Sequence, residues 1–118
     1  MSVQKMPIIL STGMSSLADV DLAVASLRKG GANDITLLHC TTNYPCAFGE
    51  VNLNAMLTLQ NAFHVPVGYS DYSIGTEVAV SAVALGAKVI EKYFTLDRSM
   101  QGPDYLASTE PGEFKRWV

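Results

Sequence analysis

The sequence predicts a parallel α/β fold built from four strand–helix units. Short apolar segments typical of strands begin near residues 7, 35, 66 and 88, and each is followed by a segment with apolar residues at helical spacing. Successive parallel strands need a crossover of about a dozen residues or more, which this spacing supplies. The chain has 118 residues, 48% hydrophobic and 16% charged. This composition suits one domain with a core and excludes a disordered chain or a coiled coil.

The first unit is a strand over residues 7–10 followed by a helix. Ser16 is suited to cap the helix, with Asp19 three residues further on. Apolar residues then recur at helical spacing at positions 20, 23, 24 and 27. Gly30 and Gly31 indicate where this helix ends.

The second and third units repeat this order. Residues 35–39 predict a buried strand, residues 40–52 a polar loop, and Leu53, Met56, Leu59 and Phe63 the apolar face of a helix. Residues 66–69 predict the third strand. The apolar segment 78–85 could be a strand by periodicity alone. Its alanines, a capping Thr76 and its place in the alternation favour a helix that ends at Gly86.

The fourth unit begins with a strand over residues 88–94. A polar loop through residues 102–104 follows, and residues 109–118 predict a helix with proline in its first turn. The last residues of this helix are still apolar, namely Phe114, Trp117 and Val118. We therefore expect the chain to be part of a larger protein, with no separate second domain within residues 1–118.

Charge and cysteine content limit the classes of partner. The net charge is −3 and neither half of the chain is basic, which argues against nucleic-acid binding. Residues 1–5 lack the pattern of a signal peptide, and the longest uncharged segment is interrupted by polar residues, so we expect a cytoplasmic protein without a membrane span. In that compartment Cys40 and Cys46 are expected to be reduced thiols.

Polar residues gather where the four predicted strands end. Ligands of parallel α/β folds bind at this edge. The turn 11–13 precedes a helix and could hold an anion, although a strand-to-helix turn with capping hydroxyls explains it better. For Thr41, Thr42 and Asn43 the alternatives are an anion site and a turn. His39 is better explained as a hydrogen-bonded core histidine than as a base.

Carboxylates near these strand ends also allow two interpretations. Asp71 and Glu91 follow or lie in apolar strands, where an unpaired charge is costly to bury. A salt bridge within a barrel and a role in a site are both consistent with this placement. Asp104 lies in a Gly-Pro-Asp sequence that is typical of turns. From the residues alone, the chain is part of an anion-binding α/β enzyme.

Five segments together resemble the sialic acid (N-acetylneuraminate) synthase family. They cover nearly the whole chain in order, as PIILSTGM (7–14), LLHCTTNYP (37–45), VGYSD (67–71), ALGAKVIE (84–91) and GPD (102–104). The resemblance implies the carboxyl-terminal half, strands five to eight, of a (β/α)8 TIM barrel. It implies a transferase of carbohydrate biosynthesis that condenses phosphoenolpyruvate with N-acetylmannosamine or a related sugar to form a nine-carbon sialic acid.

The resemblance also implies roles for particular residues and partners. The residues expected to contact phosphoenolpyruvate are Ser11, Thr42 and Ser70, and those expected to contact the sugar and act in catalysis are Tyr44, Glu91 and Asp104. The family's phosphate-binding lysines and one catalytic glutamate belong to the first half of the barrel, and an antifreeze-like domain follows the second half. We therefore expect the isolated chain to be inactive, and to self-associate or pair with a complementary half-barrel.

The resemblance implies Mn²⁺ or Mg²⁺ as a cofactor, but the residues depart from the family pattern. The family places metal-binding histidines after Ser-Asp and after Glu-Lys or Glu-Arg, where this chain has Tyr72 and Tyr93. Neutral phenol is a poor ligand for these cations. This departure favours an alternative function, a non-catalytic half-barrel that binds an anionic ligand or a partner chain. A synthase for legionaminic or pseudaminic acid is a third possibility.

Overall fold

The computed structural model describes residues 6–117 and contains four strands and four α-helices in alternation. The strands are β1 (Ile8–Ser11), β2 (Ile35–Cys40), β3 (Val67–Asp71) and β4 (Ile90–Lys92). The helices are α1 (Leu17–Lys29), α2 (Asn54–Phe63), α3 (Glu77–Ala84) and α4 (Pro111–Trp117), and a short 3₁₀ turn spans Phe48–Glu50. The predicted order of four strand–helix units is confirmed.

The four strands form one curled parallel sheet with the order β1-β2-β3-β4. Sequential order with all strands parallel is the arrangement of half a (β/α)8 barrel, as the family resemblance implied. In the register, Ser11 pairs with Leu38, Cys40 with Ser70, and Ser70 with Glu91. The polar residues at the strand ends therefore share one edge of the sheet.

The hydrophobic core lies between the sheet and its helices. Alternate strand residues enter it, including the fully buried Leu37, Val67 and Tyr69, together with helix residues such as Val24 and Met56. Because side chains alternate across a strand, the residues between these face the concave side of the sheet. Ser70 and Glu91 therefore lie on the concave face.

Helix α1 begins and ends where the sequence predicts. The Ser16 hydroxyl accepts a hydrogen bond from the Asp19 backbone N–H, and the Asp19 carboxylate accepts one from the Ser16 backbone N–H, which forms a capping box. The chain leaves the helix at Gly30, whose N–H donates to carbonyls of the last turn. These bonds satisfy backbone groups that a helix end leaves without partners.

Three elements differ from their predicted bounds. Strand β4 spans Ile90–Lys92, whereas the sequence predicted a strand over residues 88–94. The Thr76 side chain makes no capping hydrogen bond to α3, and the Thr76 N–H donates instead to the Glu77 carboxylate. Helix α4 begins at Pro111 and not at Thr109, because Thr109 is bridged to Phe94 beyond the end of β4. The predictions for residues 1–5 and for Val118 lie outside the described residues.

A buried ion pair joins the carboxyl ends of β3 and β4 on the face of the sheet that packs against the helices. The Lys92 ammonium donates to the Asp71 carboxylate at 3.0 Å, and both side chains are almost completely buried. Asp71 also accepts hydrogen bonds from the N–H and hydroxyl of Ser73. Of the two carboxylates considered for a salt bridge, the structure pairs Asp71 with a cation. Glu91 is exposed and accepts a hydrogen bond from Ser70.

None of the helices described within residues 6–117 is both long and apolar enough to cross a membrane.

Candidate functional site

A serine and a glutamate form the floor of the candidate site on the concave face. Ser70 is fully buried on β3, and its hydroxyl donates to Glu91 Oε1 on β4 at 2.7 Å. The register places the two residues opposite each other. The bond fixes one carboxylate oxygen of an otherwise exposed glutamate. Glu91 can thus orient a polar ligand at the carboxyl edge of the sheet.

The two hydroxyl side chains at the end of β1, those of Ser11 and Thr12, differ in burial and in role. The Thr12 hydroxyl donates to the Leu38 carbonyl at 2.9 Å and is buried, so it holds β1 against β2. Ser11 is exposed at the strand end. A Cβ atom on Gly13 would lie 2.7 Å from Thr42 Cγ2, so glycine permits the loop after β2 to approach β1. Ser11 and Thr42 are thereby left at adjacent strand ends.

The loop after β2 uses two of its three polar residues to hold its own shape. Thr41 donates to the Glu50 carbonyl, and Asn43 donates to the Glu50 carboxylate at 2.7 Å. Thr42 lies between them and is exposed. Thr41, Thr42 and Asn43 were the three candidates for an anion site. Thr42 is the one among them whose exposed side chain is not bonded to Glu50.

His39 belongs to the packing around this loop. It is half-buried, its Nε2 lies 2.8 Å from the Val51 carbonyl oxygen, and its ring centroid is 5.7 Å from that of Tyr69. This agrees with the interpretation of His39 as a hydrogen-bonded core histidine. It places the imidazole among groups that hold the loop and not at the floor of the site.

Three tyrosines form an aromatic cluster at the carboxyl ends of β3 and β4. The Tyr72 and Tyr93 rings stack, with centroids 5.5 Å apart and planes 15° apart. Tyr44 meets both rings edge-on, at 5.2 Å from Tyr72 and 5.1 Å from Tyr93. We call Tyr44, Tyr72 and Tyr93 the tyrosine cluster. It joins the loop after β2 to the ends of β3 and β4, and such ring pairs stabilise by ~0.5–1.5 kcal/mol each.

The environment of Tyr72 and Tyr44 raises the pKa of both phenols. Burial raises the pKa of Tyr72, and a hydrogen bond with Tyr93 raises it further. Burial also raises the pKa of Tyr44, against the opposing effect of its contact with Ser108. The ordinary pKa of tyrosine is about 10, so both groups stay neutral at physiological pH.

Tyr44 also connects the cluster to the loop that carries Asp104. Its hydroxyl donates to the Asp104 backbone carbonyl at 2.7 Å, and the Ser108 hydroxyl donates to the same oxygen at 2.6 Å. The Asp104 side chain is left exposed at the edge of the site. The structure thus brings Tyr44 and Asp104 together, although through a backbone oxygen that sequence patterns do not reveal.

An arginine outside the predicted site shapes the same loop. The Arg98 side chain donates to the Ser108 carbonyl and pairs with the Glu113 carboxylate on α4, and its backbone N–H donates to Glu110. These bonds fold residues 95–110 back towards β4. The sequence contained no signal for this role, since the partners lie 10 to 15 residues further along the chain.

The tyrosine cluster does not provide the donors of a divalent-cation site. The two positions that the family resemblance assigns to metal-binding histidines hold the stacked phenols of Tyr72 and Tyr93. Within residues 6–117, no three histidine, cysteine, aspartate or glutamate side chains are grouped so that they could hold a metal ion. The donor set therefore does not fit Mn²⁺ or Mg²⁺.

Comparison with known proteins identifies the family. The NeuB family model matches residues 1–118. The chain is 57% identical over 110 residues to an N,N'-diacetyllegionaminic acid synthase of Campylobacter jejuni, which covers 92% of this chain and 33% of the relative. It is 40% identical over 113 residues to the human N-acetylneuraminate-9-phosphate synthase, covering 95% of this chain and 31% of the relative. The chain thus spans about a third of the length of these relatives.

Solved structures of similar proteins contain the same half-barrel. An N-acetylneuraminic acid synthetase of Leptospira borgpetersenii, solved with citrate, superposes with a TM-score of 0.88 at 40% identity, covering 95% of this chain and 39% of that chain. A spore coat polysaccharide biosynthesis protein of Bacillus subtilis gives 0.89 at 38% identity, covering 95% and 32%. Sequence and topology agree, and this chain belongs to the NeuB family.

Proposed function

We propose that this chain is the carboxyl-terminal half, strands five to eight, of the catalytic barrel of a phosphoenolpyruvate-dependent synthase. The reaction is the condensation of phosphoenolpyruvate with N-acetylmannosamine or a related acylated sugar to give a nine-carbon sialic acid. The names of the relatives, which are sialic and legionaminic acid synthases, support this class of product. The observation that carries the proposal is the Ser70–Glu91 pair at the floor of the site.

The proposed roles follow from where the side chains lie. The exposed hydroxyls of Ser11 and Thr42 lie at neighbouring strand ends, where they can donate to the oxygens of phosphoenolpyruvate. Ser70 is buried and donates its hydroxyl proton to Glu91, so its proposed role is to hold that carboxylate in place. Glu91 and Asp104 carry exposed carboxylates at the same edge and can orient sugar hydroxyls or move a proton. Tyr44 acts by holding Asp104 through its backbone carbonyl.

The charges at this edge explain why we propose that the isolated chain is inactive. Phosphoenolpyruvate is strongly anionic, and two of the cations near the strand ends are already engaged. Lys92 is paired with Asp71, and Arg98 with Glu113. Further cations must come from the other half of the barrel, for which the family resemblance implies lysines. The completing half can be another part of a longer chain or a separate protein.

The first experiment uses a chimaera in which these 118 residues replace the matching third of the Campylobacter jejuni relative. With Tyr72→His and Tyr93→His also introduced, the chimaera is expected to release phosphate from phosphoenolpyruvate in the presence of an acylated mannosamine and Mn²⁺. The isolated chain should release none. A folded chimaera without phosphate release, or release by the isolated chain, contradicts the proposed function.

A matched pair of variants tests the role of Ser70 in that chimaera. Ser70→Ala removes the donor to Glu91 and is expected to lower phosphate release about tenfold or more, since a hydrogen bond to a charged group is worth ~1.5–3 kcal/mol. Ser81→Ala changes an exposed serine on α3 and should leave the rate unchanged. Equal rates for the two variants would show that the Ser70–Glu91 pair is not part of the reaction.

The tyrosine cluster favours a second candidate function. A half-barrel that keeps the hydroxyls and carboxylates but carries phenols at both family metal positions could bind an anionic ligand or a partner chain without catalysis. The same chimaera tested without the two histidine substitutions separates the possibilities. Ligand binding without phosphate release supports the second function.

A further inference from the structure

The two positions to which the family resemblance assigns metal-binding histidines carry packed rings of the tyrosine cluster. Tyr72 is half-buried and packs against the hydrophobic core, and its ring stacks on Tyr93 with planes only 15° apart. Tyr44 closes the cluster edge-on against both rings. Each ring is therefore held by two others. Moving Tyr72 or Tyr93 to admit a hydrated cation would break these contacts.

The hydroxyl groups of the cluster are poor substitutes for imidazole. A neutral phenol offers a weakly basic oxygen, whereas the imidazole nitrogen is a common ligand of Mn²⁺-type ions. The Tyr44 hydroxyl is already donating to the Asp104 carbonyl at 2.7 Å. The cluster therefore presents aromatic faces and uncharged hydroxyls at the mouth of the half-barrel.

Neither histidine of the chain replaces the missing imidazoles. His39 Nε2 lies 2.8 Å from the Val51 carbonyl oxygen, away from the cluster. His64 ends α2 in a left-handed conformation three residues before β3 begins, at the amino edge of the sheet and opposite the strand ends that form the site. The neighbouring carboxylate of Asp71 is engaged by Lys92 and Ser73. Glu91 is the remaining carboxylate at the floor of the site, and one of its oxygens accepts from Ser70.

We propose that the strand-end site of this chain is a metal-independent, aromatic site, in which the tyrosine cluster occupies the position of a divalent cation. The backbone positions of Tyr72 and Tyr93 remain suitable for a metal, and the phenol side chains alone exclude it. This proposal rests on the family assignment of the two positions. It does not depend on turnover, so its test is a binding measurement on the unmodified chain.

The test compares three forms of the full chain. They are the unmodified protein, Tyr72→Phe with Tyr93→Phe, and Tyr72→His with Tyr93→His. The phenylalanine form keeps the rings and removes the hydroxyls, which makes it the matched control for ligation by phenol. Mn²⁺ is the probe, free Mn²⁺ is followed by electron paramagnetic resonance, and far-ultraviolet circular dichroism confirms that each form is folded.

The unmodified and phenylalanine forms are expected to bind Mn²⁺ equally weakly, and the histidine form at least tenfold more tightly. Tighter binding by the unmodified protein than by the phenylalanine form would show that the phenols are ligands and would overturn the proposal. A folded histidine form that binds no better than the other two would also overturn it, because the positions would then be unsuitable for a metal. These Mn²⁺ affinities do not depend on phosphate release by the chimaera. The proposed function and the proposal of a metal-independent site can therefore fail separately.

Discussion

Gly68 is a residue at which one methyl group should weaken the fold. It lies on the concave face of β3, where a Cβ atom would overlap the Val89 carbonyl oxygen and lie 2.6 Å from Leu38 Cδ2. We expect Gly68→Ala to lower the free energy of unfolding by ~1–3 kcal/mol, the range for overpacking in a core. Urea unfolding followed by circular dichroism measures the loss.

Gly49 is the matched control. A Cβ atom there would meet no atom within 4 Å. Gly49→Ala should change the free energy of unfolding by less than ~0.5 kcal/mol, as for most surface substitutions. Similar losses for the two variants would show that close packing across β2, β3 and β4 does not require glycine at position 68.

The effects of substituting Asp71 and Lys92, the buried ion pair, on the free energy of unfolding are expected to be strongly non-additive. Lys92→Met leaves the Asp71 carboxylate buried without its cation and should cost ~3–5 kcal/mol. Adding Asp71→Asn removes that charge and keeps an acceptor for Ser73. The double variant should therefore be less destabilised than the sum of the two single variants. Additive losses, measured by the same urea titration, would contradict a direct interaction.

At the scale of elements, the start of α1 is set by its capping box. Ser16→Ala removes the acceptor for the Asp19 N–H and should lower the free energy of unfolding by ~1 kcal/mol. Ser15→Ala is the control, since its hydroxyl donates to the Gly13 carbonyl outside the helix. Thermal unfolding should show the larger drop in melting temperature for Ser16→Ala, and the reverse order would contradict this role.

The same capping box stabilises the fold more at neutral pH than at acidic pH. Hydrogen bonds from the Ser16 side chain and backbone lower the pKa of the Asp19 carboxyl. A lowered pKa in the folded state stabilises the fold above the unfolded pKa of about 3.9, and the contribution is lost as pH falls through the folded pKa. The stability difference between the unmodified chain and Ser16→Ala should therefore shrink below about pH 4. A constant difference from pH 7 to pH 2 would contradict this.

At the scale of the whole molecule, an open half-barrel has two strand edges to cover. Within residues 6–117, β1 pairs with β2 alone and β4 with β3 alone. A second copy rotated by 180° about the barrel axis would place each β4 parallel to the other copy's β1. It would also cover the concave face, where Ile9 is 56% exposed. We expect the chain, whose mass is 12.7 kDa, to self-associate in light scattering as concentration rises.

Two substitutions test which face of the half-barrel mediates self-association. Ile9→Lys places a charge on the concave face and should shift the chain towards the monomer. Val80→Lys, on the outer face of α3 where Val80 is 66% exposed, should not. A monodisperse monomer of the unmodified chain at high concentration would contradict the prediction, as would a stronger effect of the α3 variant.

The sequence by itself determined the elements and their order. Apolar periodicity, the Ser16–Asp19 cap and the glycines after α1 depend on interactions within a few residues, so they are visible as local patterns. The same patterns, with the five family segments, were sufficient for the parallel half-barrel and for the NeuB family. The roles of Ser11, Thr42, Ser70, Glu91 and Asp104 stay predictions until the chimaera is measured.

Only the tertiary structure decided which side chains meet. The sequence identified Tyr72 and Tyr93 as departures from the family pattern, but not that they stack on each other or that Tyr44 closes the cluster. It left open which carboxylate forms a salt bridge, and the structure pairs Asp71 with Lys92. These contacts join residues 21 or more positions apart, and their geometry depends on sheet register and loop closure. Both are global properties of packing, which local sequence patterns do not encode.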